Sequence, residues 1–231
     1  MFRNRQHAGF LLARHVLRVI SQEQQLDPSQ FIVVGLPRGG VSVALEIARS
    51  LNSPLDLLVS KKIGAPDQPE LAIGAVTSDG IVTLNHELIR VLGIAKLYIE
   101  SQKEFLISKT RAFEEHWLNS AGIKERPSMR NRRVIIVDDG IATGMTAVAA
   151  AQSARQRGAG EVIVTTPVMS NSAYVLLKKE CDQIIAPNVL FDFAAIGQFY
   201  LDFDQVEDEE VIRALRQARE ERLHKQDVAV T

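Results

Sequence analysis

The chain has 231 residues, 46% of them hydrophobic, and a formal net charge of −1, so it can bury a sizeable core and carries no overall field toward nucleic acid or anionic lipid. One cysteine, Cys181, excludes an internal disulfide framework and fits a reducing compartment, here taken as the cytoplasm. No apolar stretch reaches the roughly 18 residues that would mark a membrane-spanning helix.

The first 22 residues carry Arg3, Arg5, Arg14 and Arg18 and no acid. Phe10, Leu11, Leu12, Val16, Leu17 and Ile20 recur at helical spacing, and Asp27-Pro28 ends the run, which predicts an amphipathic helix docked on the domain. FIVVG (31–35) reads as a strand and VSVALEIARSL (41–51) as a helix, with Pro37, Gly39 and Gly40 between them. PLDLLVS (54–60) is the next strand. AIGAVTSDGIVTL (72–84) reads as a hairpin turning at Ser78-Asp79-Gly80. Residues 86–118 are helical with a break near Gly93, and 119–132 form a basic linker. Strands over 134–138, 161–168 and 183–187 alternate with helices over about 144–157 and 172–180, and a charged helix begins at 207.

Strands that alternate with helices predict an α/β fold: a central, mostly parallel sheet flanked by helices. Runs such as IVV and VIIV are continuously apolar, as strands buried on both faces are. The chain divides into an N-terminal helix (1–26), a core (27–186) and a C-terminal part (187–231), all of one domain. In such a sheet, ligands gather beyond the carboxyl ends of the strands. The glycine-rich breaks at 35–40 and 139–144 both fall there.

The second break carries the chemistry. VIIVDDGIATGMTA (134–147) is an apolar strand, two acids, then small and hydroxyl residues where a helix begins. The first amides of a helix lack internal partners and carry the positive end of its dipole. Around Ala142, Thr143, Gly144, Met145 and Thr146 those amides and the two hydroxyls make a phosphate nest. Asp138 and Asp139 need donors or a metal. A sugar phosphate answers both halves: hydroxyls for the acids, phosphate for the nest.

This segment resembles the phosphoribosyl pyrophosphate (PRPP) signature of type I phosphoribosyltransferases: apolar strand, two acids, then Thr-Gly-x-Thr. The resemblance implies that Asp138 and Asp139 hold the ribose hydroxyls, directly or through water on Mg²⁺, as indirect metal residues. It implies that residues 142–146 hold the 5-phosphate. GLPRGG (35–40) matches the family's pyrophosphate loop, with Pro37, Arg38, Gly39 and Gly40 at the leaving group. KKIGAPDQPELAIGAV (61–76) matches its mobile lid, placed within 61–84. Lys61 is favoured over Lys62 to face the site, and Glu70 is read as a surface glutamate rather than a proton carrier for the acceptor. FDFAAIGQFY (191–200) matches the hood over the acceptor, where Phe193 and Tyr200 would stack on a heterocycle. The full pattern resembles a subgroup of predicted bacterial phosphoribosyltransferases.

Two departures matter. Gly140 stands where many relatives have a bulky aliphatic residue, which should loosen the turn. Ala142 stands where enzymes for hypoxanthine or guanine carry an acid, which disfavours those acceptors. The implied function is transfer of phosphoribose from PRPP to a nitrogen acceptor with release of pyrophosphate, by a homodimer in nucleotide metabolism. The alternative is a PRPP-sensing module without catalysis. No G-x-G-x-x-G follows a strand, which argues against a dinucleotide-binding protein. The five basic residues within 124–133 are read as solvated surface rather than a nucleic-acid site.

Overall fold

The computed structural model describes residues 1–23 and 27–230, and the side chains of 1–22 and 27–225. The expected end of the N-terminal helix at 26 lies outside the described residues. Helix α1 spans Arg5–Glu23, and β1 (Phe31–Gly35) leads into α2 (Gly39–Leu51) and β2 (Leu55–Leu57). An antiparallel sheet follows, β3 (Ser60–Ala65), β4 (Gln68–Thr77) and β5 (Val82–Leu84), then α3 (His86–Val91) and α4 (Lys96–Ser120). The chain continues through β6 (Arg133–Val137), α5 (Met145–Gln156), β7 (Glu161–Thr165), β8 (Met169–Ser170), α6 (Asn171–Leu177), β9 (Gln183–Ile185) and β10 (Val189–Leu190) to α7 (Asp208–Val230).

The central sheet is all parallel, in the order β2-β1-β6-β7-β9. The middles of β1, β6 and β7 are continuously apolar because both faces are covered. Phe31 and Val33 of β1, with Ile135 and Val137 of β6, pack toward α1, α2 and α7. Ile32 and Val34, with Val134 and Ile136, pack toward α5 and α6. The α/β architecture expected from the alternation is therefore the one observed. No helix among the described residues is long and apolar enough to cross a membrane.

Three expectations change. In α1 the docked face is Ala8, Leu12, Ala13, Val16 and Ile20, whereas Phe10 and Leu11 are exposed, because they lie outside the stripe that meets α2. The expected strand over 54–60 is two strands in different sheets, broken at Leu58-Val59. An alternating pattern cannot reveal a change of partner. The break is held by Glu114 of α4, whose Oε2 accepts from Val59 N at 3.0 Å and from Ser78 Oγ at 2.6 Å. Finally, the 61–84 region is a packed sheet more than a free loop. Ile63, Ile73 and Val76 share a small core with Ile99 of α4, and Tyr98 donates to Gly64 O at 2.9 Å. The tip at 66–70 is the one continuous exposed stretch of this region.

Arg126, from the basic linker, ties this junction to the main sheet. It bonds both oxygens of buried Asp56 at 3.1 Å, Glu114 Oε1 at 2.5 Å and Leu57 O at 2.5 Å. Its removal strands two buried carboxylates, although Arg157 lies 3.6 Å from Asp56 and relieves part of the penalty. Arg126→Leu is expected to destabilise the fold by about 3 kcal/mol, read from urea unfolding.

Candidate active site

Both glycine-rich breaks lie at the carboxyl ends of adjacent strands, since β1 and β6 pair in register from Phe31↔Arg133 to Gly35↔Val137. The loops that leave them therefore meet. A Cβ on Gly40 would lie 2.6 Å from Val137 O and 3.2 Å from Asp138 Oδ1. A Cβ on Gly39 would collide with Asp139 Oδ2. These glycines are required because the loop presses on the acid turn with no room for a side chain. The Pro37–Arg38 peptide bond between the strand and these glycines is cis.

The two acids are not equivalent. Asp138 is partly exposed at the residue level, and its Oδ1 accepts from the Asp139 amide at 2.9 Å. Burial of its carboxyl, then the charge of Asp139, push its pKa well above the usual carboxylate range. Asp139 is buried and already partnered: Arg5 Nε of α1 lies 2.6 Å from its Oδ2. The sequence reading, with both acids open to a ligand, did not see this partner. The acid-free start of α1 was the available signal, and it read as a plain helix face.

Residues 142–146 lead into α5. Gly144 adopts φ +80° as the N-cap of α5, a left-handed conformation that favours glycine. Thr143 is exposed and Thr146 half-buried, so both hydroxyls are available on this rim. Ser170 Oγ donates to Ala142 O at 2.5 Å, and Ile141 bridges Met169, which anchors the loop to β8. The Met145 side chain is not part of the rim. It is buried among Ala72, Ala75 and Ala149, leaving only its amide for a ligand.

On the other loop, Arg38 Nη1 donates to Val206 O at 3.1 Å and Nε lies 3.1 Å from Asp208 Oδ1, so the guanidinium is braced against the start of α7. Lys61 is half-buried over the Phe113 ring at 5.3 Å. Burial first, then the charges of Lys109 and Arg38, lower its pKa. Lys109 of α4 lies over the neighbouring Phe105 ring at 5.7 Å. Lys62 points the other way and pairs at 2.5 Å with Glu70, an outlying side chain with 94% exposure.

The hood is placed over the acid turn but not as expected in detail. Ile196 fills the space that a side chain at position 140 would take: a Cβ there would collide with its Cγ2. Gly140 is thus a fit to the hood rather than a loosened turn. Tyr200 corrects the stacking expectation. It is 6% exposed, its ring lies against Phe2 and Phe203, and its hydroxyl donates to Asp139 O at 2.5 Å. Phe193 is half-buried against Phe199 at 5.3 Å and keeps an accessible surface. Cys181 takes no part. It donates to Leu177 O at 3.2 Å, and burial pushes its thiol up to about 11.

A family model for the phosphoribosyl transferase domain matches residues 4–204. The chain belongs to the phosphoribosyl transferase family. The match runs from the start of α1 through the hood, so it includes every residue of the arrangement just described except Phe2, Val206 and Asp208. A Mycobacterium tuberculosis protein, found in strains CDC 1551 and H37Rv, is 38% identical over 220 residues, and its own name as a phosphoribosyl transferase is provisional. That alignment covers 94% of this chain and 47% of the relative, so the chain spans about half the length of the curated relatives it matches. The crystal structure of TT1426 from Thermus thermophilus is 37% identical, with a TM-score of 0.76, covering 94% of this chain and 98% of that one.

In this family member a cavity of about 610 Å³ is elsewhere. It lies between Pro54, residues 122–127 and α7, at the amino ends of the strands. The acid pair, the nest and the cations are at the opposite edge, where strand geometry places ligands.

Proposed function

We propose that the protein transfers phosphoribose from PRPP to a nitrogen acceptor, a nucleobase or related heterocycle, with release of pyrophosphate. The observation that carries this reading is the direct contact of the two glycine loops. It sets the acid pair against the Gly39-Gly40 loop, just ahead of the amino end of α5. The nest at 142–146 takes the 5-phosphate through the free amides of α5 and the Thr143 and Thr146 hydroxyls. Each such charge-assisted bond nets about 1.5–3 kcal/mol. Asp138, and Asp139 through its remaining oxygen, accept from the ribose hydroxyls. Arg38, the amides of Gly39 and Gly40, Lys61 and Lys109 meet the pyrophosphate.

No group of three metal-ligating side chains occurs among the described residues, so the donor set fits Mg²⁺ only as an ion carried largely by PRPP oxygens. Asp138 is the carboxylate available to it. The ion would supply neutralising charge to the leaving pyrophosphate. The chain's own residues bind, align and shield. The acceptor nitrogen forms a bond to C1 as the C1–oxygen bond breaks, and that electron pair leaves with pyrophosphate. The acceptor's proton passes to solvent. The cation group stabilises the departing charge, and the exposed hairpin tip at 66–70 is the part free to cover the sugar against water. Phe193 offers a face to the heterocycle.

Two observations favour a PRPP sensor instead. Ala142 gives no proton acceptor, and Glu70 faces outward on Lys62. The distinguishing measurement is Mg²⁺- and PRPP-dependent pyrophosphate release across a panel of nucleobases and amines. Release with one acceptor is expected, with hypoxanthine and guanine the poorest. Tight PRPP binding without release on any acceptor selects the sensor. A cytoplasmic homodimer is part of the same proposal, and a 25.6 kDa species in sedimentation equilibrium removes the dimer.

A further inference from the structure

Arg5 stands where four parts of the chain converge. Residues 2 and 3 pair with the hood through Phe2 N to Phe199 O at 2.7 Å, Leu201 N to Phe2 O at 2.8 Å and Asp202 N to Arg3 O at 2.9 Å. Arg5 then reaches from the first turn of α1. Its Nη1 donates to Asp204 O at 2.7 Å, its guanidinium lies 3.8 Å from the Phe203 ring centre, and its Nε bonds Asp139 Oδ2 at 2.6 Å. The same Nε would lie 2.6 Å from a Cβ on Gly39, so it also touches the pyrophosphate loop. From the main-chain side, Tyr200 fixes Asp139 by its carbonyl. Both ends of Asp139 are thus held by the N-terminus and the hood.

A buried ion pair is on average close to neutral for stability. Its location is what distinguishes this one, because the paired acid is half of the acid turn. We infer that Arg5 is a positioning residue for ribose recognition: it fixes the Asp139 carboxylate by Oδ2, leaves Oδ1 for a sugar hydroxyl, and supplies the cation that lets two adjacent carboxylates share one ligand. The planar fork suits this task, since one edge serves Asp139 while another serves Asp204 O and the flat face rests on Phe203. Without Arg5 the two acids would face each other uncompensated, and Asp139 would be free to turn away.

This inference rests on the PRPP reading, and a coupling experiment separates the two. Binding of PRPP with Mg²⁺ is measured by calorimetry for the wild-type chain, Arg5→Met, Arg5→Lys, Asp139→Asn and the double variant Arg5→Met/Asp139→Asn. Arg5→Met is expected to weaken binding about tenfold or more, as loss of a charged hydrogen bond does. Arg5→Lys should restore part of that loss. In the Asp139→Asn background, Arg5→Met should add about twofold or less, because the carboxylate through which it acts is gone. A purely structural Arg5 would lower the melting temperature and show equal effects on both backgrounds. Additive losses, or no loss of affinity in Arg5→Met, overturn the inference while leaving the function reading intact. A wild-type chain that binds no PRPP overturns both. If Arg5→Met does not fold, Phe203→Leu keeps both charges and removes only the ring beneath the guanidinium. It should then weaken PRPP about threefold in the wild-type background and not with Asp139→Asn. An equal effect in both backgrounds counts against Arg5.

Discussion

Asp138→Asn should raise the melting temperature at pH 8 and, in the same protein, weaken PRPP binding about tenfold or more. Burial and the neighbouring Asp139 charge make the Asp138 carboxylate costly to ionise in the ligand-free protein. A carboxyl with a raised folded pKa holds its proton in the native state while the unfolded chain has already lost it. Native stability therefore falls as pH climbs from the ordinary carboxylate value, about 3.9, through the raised one. Asparagine removes that loss and still accepts from the Asp139 amide through its side-chain oxygen. The gain in melting temperature should be largest at neutral to alkaline pH and should shrink toward pH 4. Thermal scans across pH, with calorimetric PRPP titrations at pH 8, read both halves. A variant that loses stability uniformly across pH would show that Asp138 is a structural acid and not one held for a ligand.

Gly40→Ala should abolish PRPP binding and cost about 1–3 kcal/mol of stability. The new methyl would sit 2.6 Å from Val137 O, a backbone atom fixed in the central strand, so the strand cannot give way. The loop must move instead, and with it Arg38 and the amides of Gly39 and Gly40, which we propose meet the pyrophosphate. Gly39→Ala is the informative comparison. Its collision is with the Asp139 carboxylate and Arg5, side-chain atoms that can shift, so the fold should suffer less while the acid pair is disturbed. Chemical denaturation and PRPP titration of the pair test this. Equal stability for Gly40→Ala and wild type would mean that the two loops do not touch as described.

Parts of the fold and site were legible in the chain because they are local. Alternate residues of β1 and β6 are buried on opposite faces, which is what unbroken apolar runs between glycines imply. The turn at Gly144 requires a residue that tolerates positive φ, and the sequence places glycine there before a run of small helix formers. The contact between loops was foreshadowed by Gly39 and Gly40, though nothing nearby shows what would strike a side chain at either place.

What stayed hidden is what depends on distant segments. Leu58 and Val59 look like strand interior, but Glu114, more than fifty positions later, ends one sheet and starts another there. Lys61 and Lys62 are indistinguishable until β3 is laid against α4, which sets Lys61 over Phe113 and leaves Lys62 to Glu70. Gly140 looked like a weakness until Ile196 filled its place. Tyr200 looked like a base-stacking ring until its hydroxyl was found on the Asp139 carbonyl. By itself the sequence determined the strand–helix alternation, the acid turn and the glycine-capped start of α5, because backbone propensity and turn chemistry act over a few neighbouring residues. Only the tertiary structure decided that Asp139 pairs with Arg5, that Lys61 lies over Phe113 and that Lys62 pairs with Glu70. Those outcomes follow from which side chains are brought within hydrogen-bonding distance across the fold, and no spacing along the chain encodes that distance.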